Sequence, residues 1–175
     1  MKKDYIHCKE VINKDMADFL YQYLLLKRQG FITLHNNHLI SRFDEDRGVW
    51  GDGQVDNSFC LYGDSMFDLL LVKIKPVMEK YTETKLVETY SYARVYHKGN
   101  ELKKHTDRPS CEISITVHIN SDGTPWEIYI DGKKYRTKPG DAVLYKGCEV
   151  EHWREPFEGD WHAQAFLHYV NSKGP

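Results

Sequence analysis

From Leu86 to Val170 the chain breaks into short runs of β-branched and aromatic residues, each closed by a turn signal. The runs are VETYSYARVYH, EISITVHIN, WEIYIDGKKYRTK, DAVLYKG, EVEHWRE and WHAQAFLHYV. Between them stand Lys98-Gly99-Asn100, Ser121-Asp122-Gly123, Asp131-Gly132, Pro139-Gly140 and Glu158-Gly159, residue types that turn a chain rather than extend it. Asp131-Gly132 lies between alternating runs and predicts a two-residue hairpin. So many short antiparallel strands, each unable to bury its apolar face alone, restrict this half to a sandwich or a jelly-roll barrel.

The first half has a different period. Asn13 is a good helix cap, and DMADFLYQYLLLKRQ predicts a helix that Gly30 stops. Met16, Phe19, Leu20, Tyr23 and Leu24 recur at helical spacing and form a stripe for packing on a sheet. Asp64 or Ser65 can cap a second helix, MFDLLLVKIKPVMEKYT, which Pro76 should kink or divide. The segment Ser41 to Asn57, rich in charge and glycine, predicts a loop, and Trp50 with the loop around it (DEDRGVWGDGQ) is a candidate lid over a site. No repeat or internal boundary is visible. The expectation is one domain over 1–175, with 1–85 a helical buttress and loop and 86–171 the β-barrel core.

One pattern in the β half carries chemistry. His105 and Asp107 are one residue apart on an apparent strand, where residues i and i+2 share a face. His152 follows in another apparent strand. Two imidazole nitrogens and one carboxylate on one side of a metal leave coordination sites open and suit a non-heme Fe(II) centre that activates oxygen. Zinc could take the same three donors in a hydrolytic site. The spacing alone is weak, because a chain with 9 His and 26 Asp plus Glu gives about one His-x-(Asp/Glu) pair by chance.

Composition narrows the classes. At 175 residues, 41% hydrophobic and 13% aromatic, the chain can bury a real core. A formal charge of −2 gives no bulk attraction to nucleic acid or anionic membranes, so neither partner is expected. Cys8, Cys60, Cys111 and Cys148 are dispersed and read as reduced thiols of a cytoplasmic protein. Met1-Lys2-Lys3-Asp4 leads into no apolar signal-peptide region, and Phe19 to Leu26 is too short to span a bilayer. The oligomeric state leaves no trace.

Three stretches together resemble the Fe(II)/2-oxoglutarate-dependent dioxygenases, in particular their prolyl-4-hydroxylase-like branch. YARVYHKGNELKKHTD has a strand ending in Tyr96, a glycine turn, then His-x-Asp. EISITVHIN resembles the strand that follows, and KPGDAVLYKGCEVEHWREPFEGDWHAQAFLHYV has a Pro-Gly-Asp turn, the distal histidine and a closing strand. The resemblance implies a mainly β fold with N-terminal helices, a double-stranded β-helix of jelly-roll or cupin type. It implies iron ligation by His105, Asp107 and His152. Fe(II), 2-oxoglutarate and O2 would be the cofactors, and the reaction hydroxylation of an unactivated C–H as 2-oxoglutarate is oxidised to succinate and CO2. Tyr96 would give its hydroxyl to the co-substrate.

The chain departs from the family at the anchor for the far carboxylate of 2-oxoglutarate. Members usually place Lys or Arg nine or ten residues past the distal histidine; Trp161 and His162 stand there. A buried carboxylate needs a charge-assisted partner. Arg154 is the first substitute, because it shares a strand face with His152 and has a planar fork. Arg94 shares a face with Tyr96, His118 lies on the strand after the motif, and His162 is nearest the usual position. Each also has an ordinary structural reading. Arg154 could pair with Glu151, Glu155 or Glu158, Arg94 with Glu88, and His118 could be a satisfied core histidine. Small Ala163 and Ala165 favour Trp161 pointing inward, which would count against His162. Pro109 makes the backbone irregular after Asp107, so Arg108 can turn toward the mouth.

The leading expectation is a hydroxylase of a peptidyl residue, proline first. A free amino acid or other small metabolite is the second substrate class. A cupin-like module that holds a metal or ligand without turnover is the reading from another class, because jelly rolls host many functions.

Overall fold

The computed structural model describes residues 4–174. Its strands, in chain order, are β1 (Tyr5–Cys8), β2 (Phe43–Asp44), β3 (Gly48–Trp50), β4 (Phe59–Tyr62), β5 (Leu86–His97), β6 (Leu102–His105), β7 (Ile113–Ser121), β8 (Ile128–Ile130), β9 (Lys133–Tyr135), β10 (Ala142–Tyr145), β11 (His152–Arg154) and β12 (Trp161–Asn171). Two helices, α1 (Lys14–Asn36) and α2 (Ser65–Thr82), precede β5. The strands form an eight-stranded sheet in the order β1-β10-β7-β12-β5-β4-β3-β2 and a four-stranded sheet in the order β6-β11-β8-β9. This is the mainly β architecture with N-terminal helices that the strand run requires.

Period-2 alternation sorts the large sheet into two faces. Ala93, Val95, Ile115, Val117, Ala163, Ala165 and Leu167 form one apolar cluster with Leu20, Leu24, Phe67, Leu70 and Ile74 of the helices. Each fully buried Leu, Ile or Phe there contributes roughly 1.5–3 kcal/mol of transfer free energy. The alternate residues, among them Arg94, Tyr96, Ser114, Thr116, His118, His162 and Gln164, are buried as well but polar. A polar interior behind an apolar, helix-backed wall is a place for chemistry rather than for cohesion.

Several local features follow their sequence signals. Asn13 caps α1, its Oδ1 accepting from the Met16 amide at 2.9 Å, and Asp64 caps α2 through the Met66 amide at 3.0 Å. Asp64 also accepts from the Tyr23 hydroxyl at 2.9 Å, tying the helices together. Asp131 and Gly132 connect β8 to β9, both with positive φ (50° and 74°), as a mirror-image two-residue turn demands.

Three expectations are corrected. Gly30 does not stop α1, which runs to Asn36, because Phe31 is buried and packs on Phe59 with ring centroids 5.5 Å apart. Gly30 costs the helix about 1 kcal/mol against alanine, less than burying one Phe returns. Pro76 does not divide α2 either, which is one helix over Ser65–Thr82. The Tyr169 hydroxyl donates to the Leu71 carbonyl at 2.7 Å beside the turn that Pro76 disturbs. Finally, the segment Ser41 to Asn57 is not wholly loop, since β2 and β3 extend the large sheet through β4.

All four cysteines are free thiols. Among the described residues no helix is long and apolar enough to cross a membrane.

Candidate metal centre and its inner pocket

His105 ends β6 and His152 begins β11, and the two are directly opposite in the antiparallel ladder. Their ring centroids are 4.3 Å apart. Asp107 lies just past the strand end, not on the strand as expected. Its amide donates to the Gly147 carbonyl at 2.8 Å, which turns the carboxylate back toward both rings. Asp107 Oδ1 is 3.6 Å from His105 Nε2 and 3.5 Å from His152 Nε2. A Cβ at Gly147 would overlap the Asp107 carboxylate and the Cys111 carbonyl, so only glycine fits there.

The imidazoles are held in one tautomer. His105 Nδ1 bonds the Lys103 carbonyl at 2.7 Å, and His152 Nδ1 bonds the Val150 carbonyl at 3.1 Å. A carbonyl only accepts, so each Nδ1 carries the hydrogen and each Nε2 turns a lone pair toward Asp107. Burial alone would raise the Asp107 carboxyl, but the neighbouring His105 and His152, which can take up a proton, outweigh it and hold it well below the usual range. Burial likewise depresses His105, and the Asp107 carboxylate more than reverses that. Three converging donors with their outer atoms already bonded are the set that holds a divalent ion; all three ligand atoms lie within 4.8 Å of one another.

Asp107, Cys111 and His168 form a neighbouring group of potential donors. Ser114 ties it together, its Oγ 2.8 Å from His168 Nδ1, 3.2 Å from Asp107 Oδ2 and 3.1 Å from the Cys111 carbonyl. Burial pushes His168 down to about 4. The group supports Asp107 from behind.

A cavity of about 350 Å³ opens on the three donors. Its walls include Arg94, Tyr92, Tyr90, Arg108 and Phe166. Arg108 does turn into the mouth, 4.8 Å from the Tyr90 ring centroid. Arg94 is 1% exposed and bonds Gln54 Oε1 at 3.1 Å and the Tyr96 hydroxyl at 3.3 Å, and it is ion-paired with Asp52. Asp52 also accepts from the Tyr92 hydroxyl at 2.5 Å. The loop therefore closes on the site through Asp52 and Gln54. Trp50 is not part of the cavity wall; it stacks on His97 with centroids 6.3 Å apart. Arg94 is matched by Asp52 rather than by Glu88, which pairs with Lys75.

Beyond the donors the barrel interior holds Arg154, His118 and His162. Arg154 shares the inner face with His152, while Trp153 points outward and stacks on Tyr129 at 4.8 Å. Arg154 is 1% exposed; its Nη1 donates to the Trp126 carbonyl at 2.8 Å, and its guanidinium lies 4.6 Å from the Trp126 ring centroid. Its Nε and Nη2 find no partner among the described residues, and no glutamate pairs with it. Burial lowers Arg154 to about 10, so it stays charged at neutral pH. Trp126 also meets Tyr96 edge-on at 4.8 Å, which puts the buried tyrosine against the same wall.

Trp161 does not point inward. It stacks on Tyr21 of α1 at 4.5 Å, which sends His162 to the interior. The small alanines make room for the helices, not for a ligand. The rings of His162 and His118 are 4.2 Å apart. His162 Nδ1 and His118 Nε2 are buried without a partner among the described residues. Orphaned polar atoms in a dry interior are costly unless a ligand meets them. A guanidinium with two free donors fits one carboxylate of a dicarboxylate, so these residues fit the co-substrate that the resemblance implies.

Trp126 and His168 were not expected at the site, and Asp52 and Gln54 only as part of the loop around Trp50. His168 could have been, because it continues the alternation His162, Gln164, Phe166 on one face of β12. The pairing of Asp52 with Arg94 could not, since it joins distant segments.

No protein-family model matches the sequence, and no curated protein matches it. Solved structures do. A Pseudomonas putida prolyl-4-hydroxylase superposes with a TM-score of 0.68 at 12% identity, over 96% of this chain and 92% of that one. The fold is that of the 2-oxoglutarate oxygenases. A prolyl hydroxylase from Trichoplax adhaerens, in complex with a peptide fragment, gives 0.63 at 13% identity over 97% of this chain and 84% of its own. A non-heme alpha-ketoglutarate-dependent epimerase of nogalamycin biosynthesis gives 0.70 at 10% identity, over 97% and 79%. Within that fold the His105–Asp107–His152 cluster lines the cavity, and Arg154 is buried at 1% exposure.

Proposed function

We propose that this chain is an Fe(II)- and 2-oxoglutarate-dependent dioxygenase that hydroxylates an unactivated C–H, with a peptidyl proline or similar residue as substrate. The observation that carries the reading is the convergence of two fixed imidazoles and one carboxylate on a cavity, with a buried guanidinium that has two unpaired donors two residues along the strand from His152. His105, Asp107 and His152 would hold the ion. When bound, Fe(II) with 2-oxoglutarate and O2 supplies the oxidising power, the co-substrate ending as succinate and CO2.

The chain's own residues bind, orient and exclude water. Arg154 offers Nε and Nη2 to the far carboxylate of 2-oxoglutarate, a bidentate match that Lys could not make. Arg94, neutralised by Asp52, is the weaker candidate for that role. Tyr96 can turn its hydroxyl to the co-substrate, and Trp126 and Phe157 pack with it as apolar neighbours. Ser114 and Gly147 hold Asp107 in place, so the donor set is built before any ion arrives.

The peptidyl substrate rests on the prolyl hydroxylases that share the fold, one of them bound to a peptide. A free amino acid or small metabolite is the second reading, favoured by the Asp52 and Gln54 side chains that narrow the mouth. Four free thiols favour a reducing compartment such as the cytoplasm. The test is succinate formation from 2-oxoglutarate with Fe(II) in air, alongside mass analysis of proline-containing peptides and free amino acids for one added oxygen. Turnover by the wild type and none by His105→Ala is expected. Bound iron with no succinate from any substrate would leave a metal-binding module in place of the enzyme.

A further inference from the structure

Beside the Arg154 guanidinium, which suits an anion, the barrel interior also holds two imidazole nitrogens without partners among the described residues. His118 Nδ1 lies 3.1 Å from the Thr137 carbonyl, an atom that can only accept. The ring hydrogen is therefore on Nδ1, and the orphaned Nε2 is a bare lone pair. His162 Nε2 lies 2.9 Å from Gln164 Oε1. Gln164 Nε2 donates to Thr116 Oγ1 at 2.7 Å, and in that orientation its oxygen faces the imidazole, whose Nε2 carries the hydrogen. The orphaned Nδ1 of His162 is then a second lone pair. Two acceptors, with rings 4.2 Å apart, share this interior with the two unpaired donors of Arg154. A carboxylate that came to Arg154 would meet both.

We propose that binding of the dicarboxylate co-substrate takes up a proton at the His118–His162 pair, which turns a lone pair into a third charge-assisted donor for the far carboxylate. The inference rests on the reading of the chain as a 2-oxoglutarate enzyme and goes beyond it, because it makes the co-substrate site a coupled anion and proton site. No bond other than N–H is made, and the proton comes from solvent.

The surroundings decide the direction. His118 is faced by Thr137 and by Asp141 from the loop before β10, by Arg154 from β11 and by His162 from β12. His162 is faced by His118, Arg154 and Gln164, with Trp126 and Phe157 as apolar walls and Tyr96 opposite it in the ladder. Without a ligand, burial and then the Arg154 charge hold His118 down to about 4; burial, His118 and Arg154 hold His162 well below its ordinary value. Both are neutral at pH 7. An arriving carboxylate cancels the Arg154 charge and adds an acceptor beside the rings, and both changes favour imidazolium. Asp141, held by the Glu10 and Lys138 amides at 3.1 Å each, already raises His118, but burial and Arg154 outweigh it.

The experiment is calorimetric titration of the full Mn(II)-loaded chain with 2-oxoglutarate at pH 6.5 in buffers of different ionisation enthalpy. Pyruvate is the reference probe; it keeps the 2-oxo acid end but lacks the far carboxylate, so proton exchange at the metal appears with both. More than half a proton taken up with 2-oxoglutarate beyond pyruvate is expected, along with an affinity that falls as pH rises, by up to roughly tenfold per unit for one full proton. His118→Gln and His162→Gln, each checked for an unchanged unfolding temperature, should bind 2-oxoglutarate with reduced uptake in at least one variant. Wild-type binding without excess uptake overturns the proposal and leaves the oxygenase reading standing; a tautomer change with no net proton would give that result. Uptake undiminished in both variants also overturns it. No 2-oxoglutarate binding at all removes both this inference and the reading beneath it.

Discussion

Arg154 brings a full charge into a volume where, among the described residues, no carboxylate pairs with it directly and Glu127 acts only from a distance. Such a residue is expensive to keep unless something completes it. Replacing it separates its two duties. Arg154→Ala should raise the 2-oxoglutarate requirement at least roughly 30-fold, since losing one side of a buried charged pair costs about 2 kcal/mol or more. Metal binding should stay unchanged, because none of the three donors bonds to Arg154. Titrations of metal and co-substrate on the variant read the two separately; an unchanged requirement would move the anchor to Arg94 or the histidines. The sequence allowed Arg154 to be ranked first because strand alternation is local. It could not decide between Trp161 and His162, because the room beside two alanines is taken by Tyr21, a residue distant in sequence.

At the scale of elements, the strap from Gly51 to Asn57 is fastened chiefly by one acidic side chain, with Gln54 on Arg94 and the Asp56 carbonyl on Asn100 as lesser ties. Asp52 is ion-paired with Arg94 and accepts from Tyr92. Burial would raise its carboxyl, but Arg94, the Tyr92 hydroxyl and the backbone amides of Gln54 and Val55 hold it below its ordinary value. A depressed folded-state value means the contribution is whole above the unfolded value, about 3.9, and is lost as pH falls through the folded one. Hydrogen exchange should therefore find amides 51–57 equally protected from pH 7 down to about 4 and released only at stronger acid. Asp52→Asn should release them at every pH. Protection lost already near pH 6 would mean that Asp52 is not the fastening. Elements themselves were legible wherever the signal was local. The caps at Asn13 and Asp64, the turn at Asp131-Gly132 and the β run after Leu86 all rest on neighbours within a few positions. What escaped depends on distant partners. β1 exists because it pairs with β10, β3 because it pairs with β4, and α1 passes Gly30 because Phe31 finds Phe59.

For the whole molecule, the donors join two strands of the small sheet to the turn that leads back to the large one. An ion bound there holds the two layers together and is absent from the unfolded chain, so it must stabilise the fold by mass action. At a hundredfold excess over its dissociation constant the gain is about 2.7 kcal/mol, which for this size corresponds to a rise of roughly 5–10 °C in Tm. Calorimetry with Mn(II), then with chelator added, should show the rise and its reversal, and His105→Ala should show neither. No shift in the wild type would mean that the three side chains do not bind the ion in solution.

The ladder that sets His105 opposite His152 has a last consequence. Main-chain hydrogen bonds fix the gap between neighbouring strands whatever side chains they carry. The distance between the two imidazoles is thus gauged by the backbone. Most of the barrel could be rewritten residue by residue and, so long as those two rungs and the turn that holds Asp107 survive, the grip on an ion would survive with them.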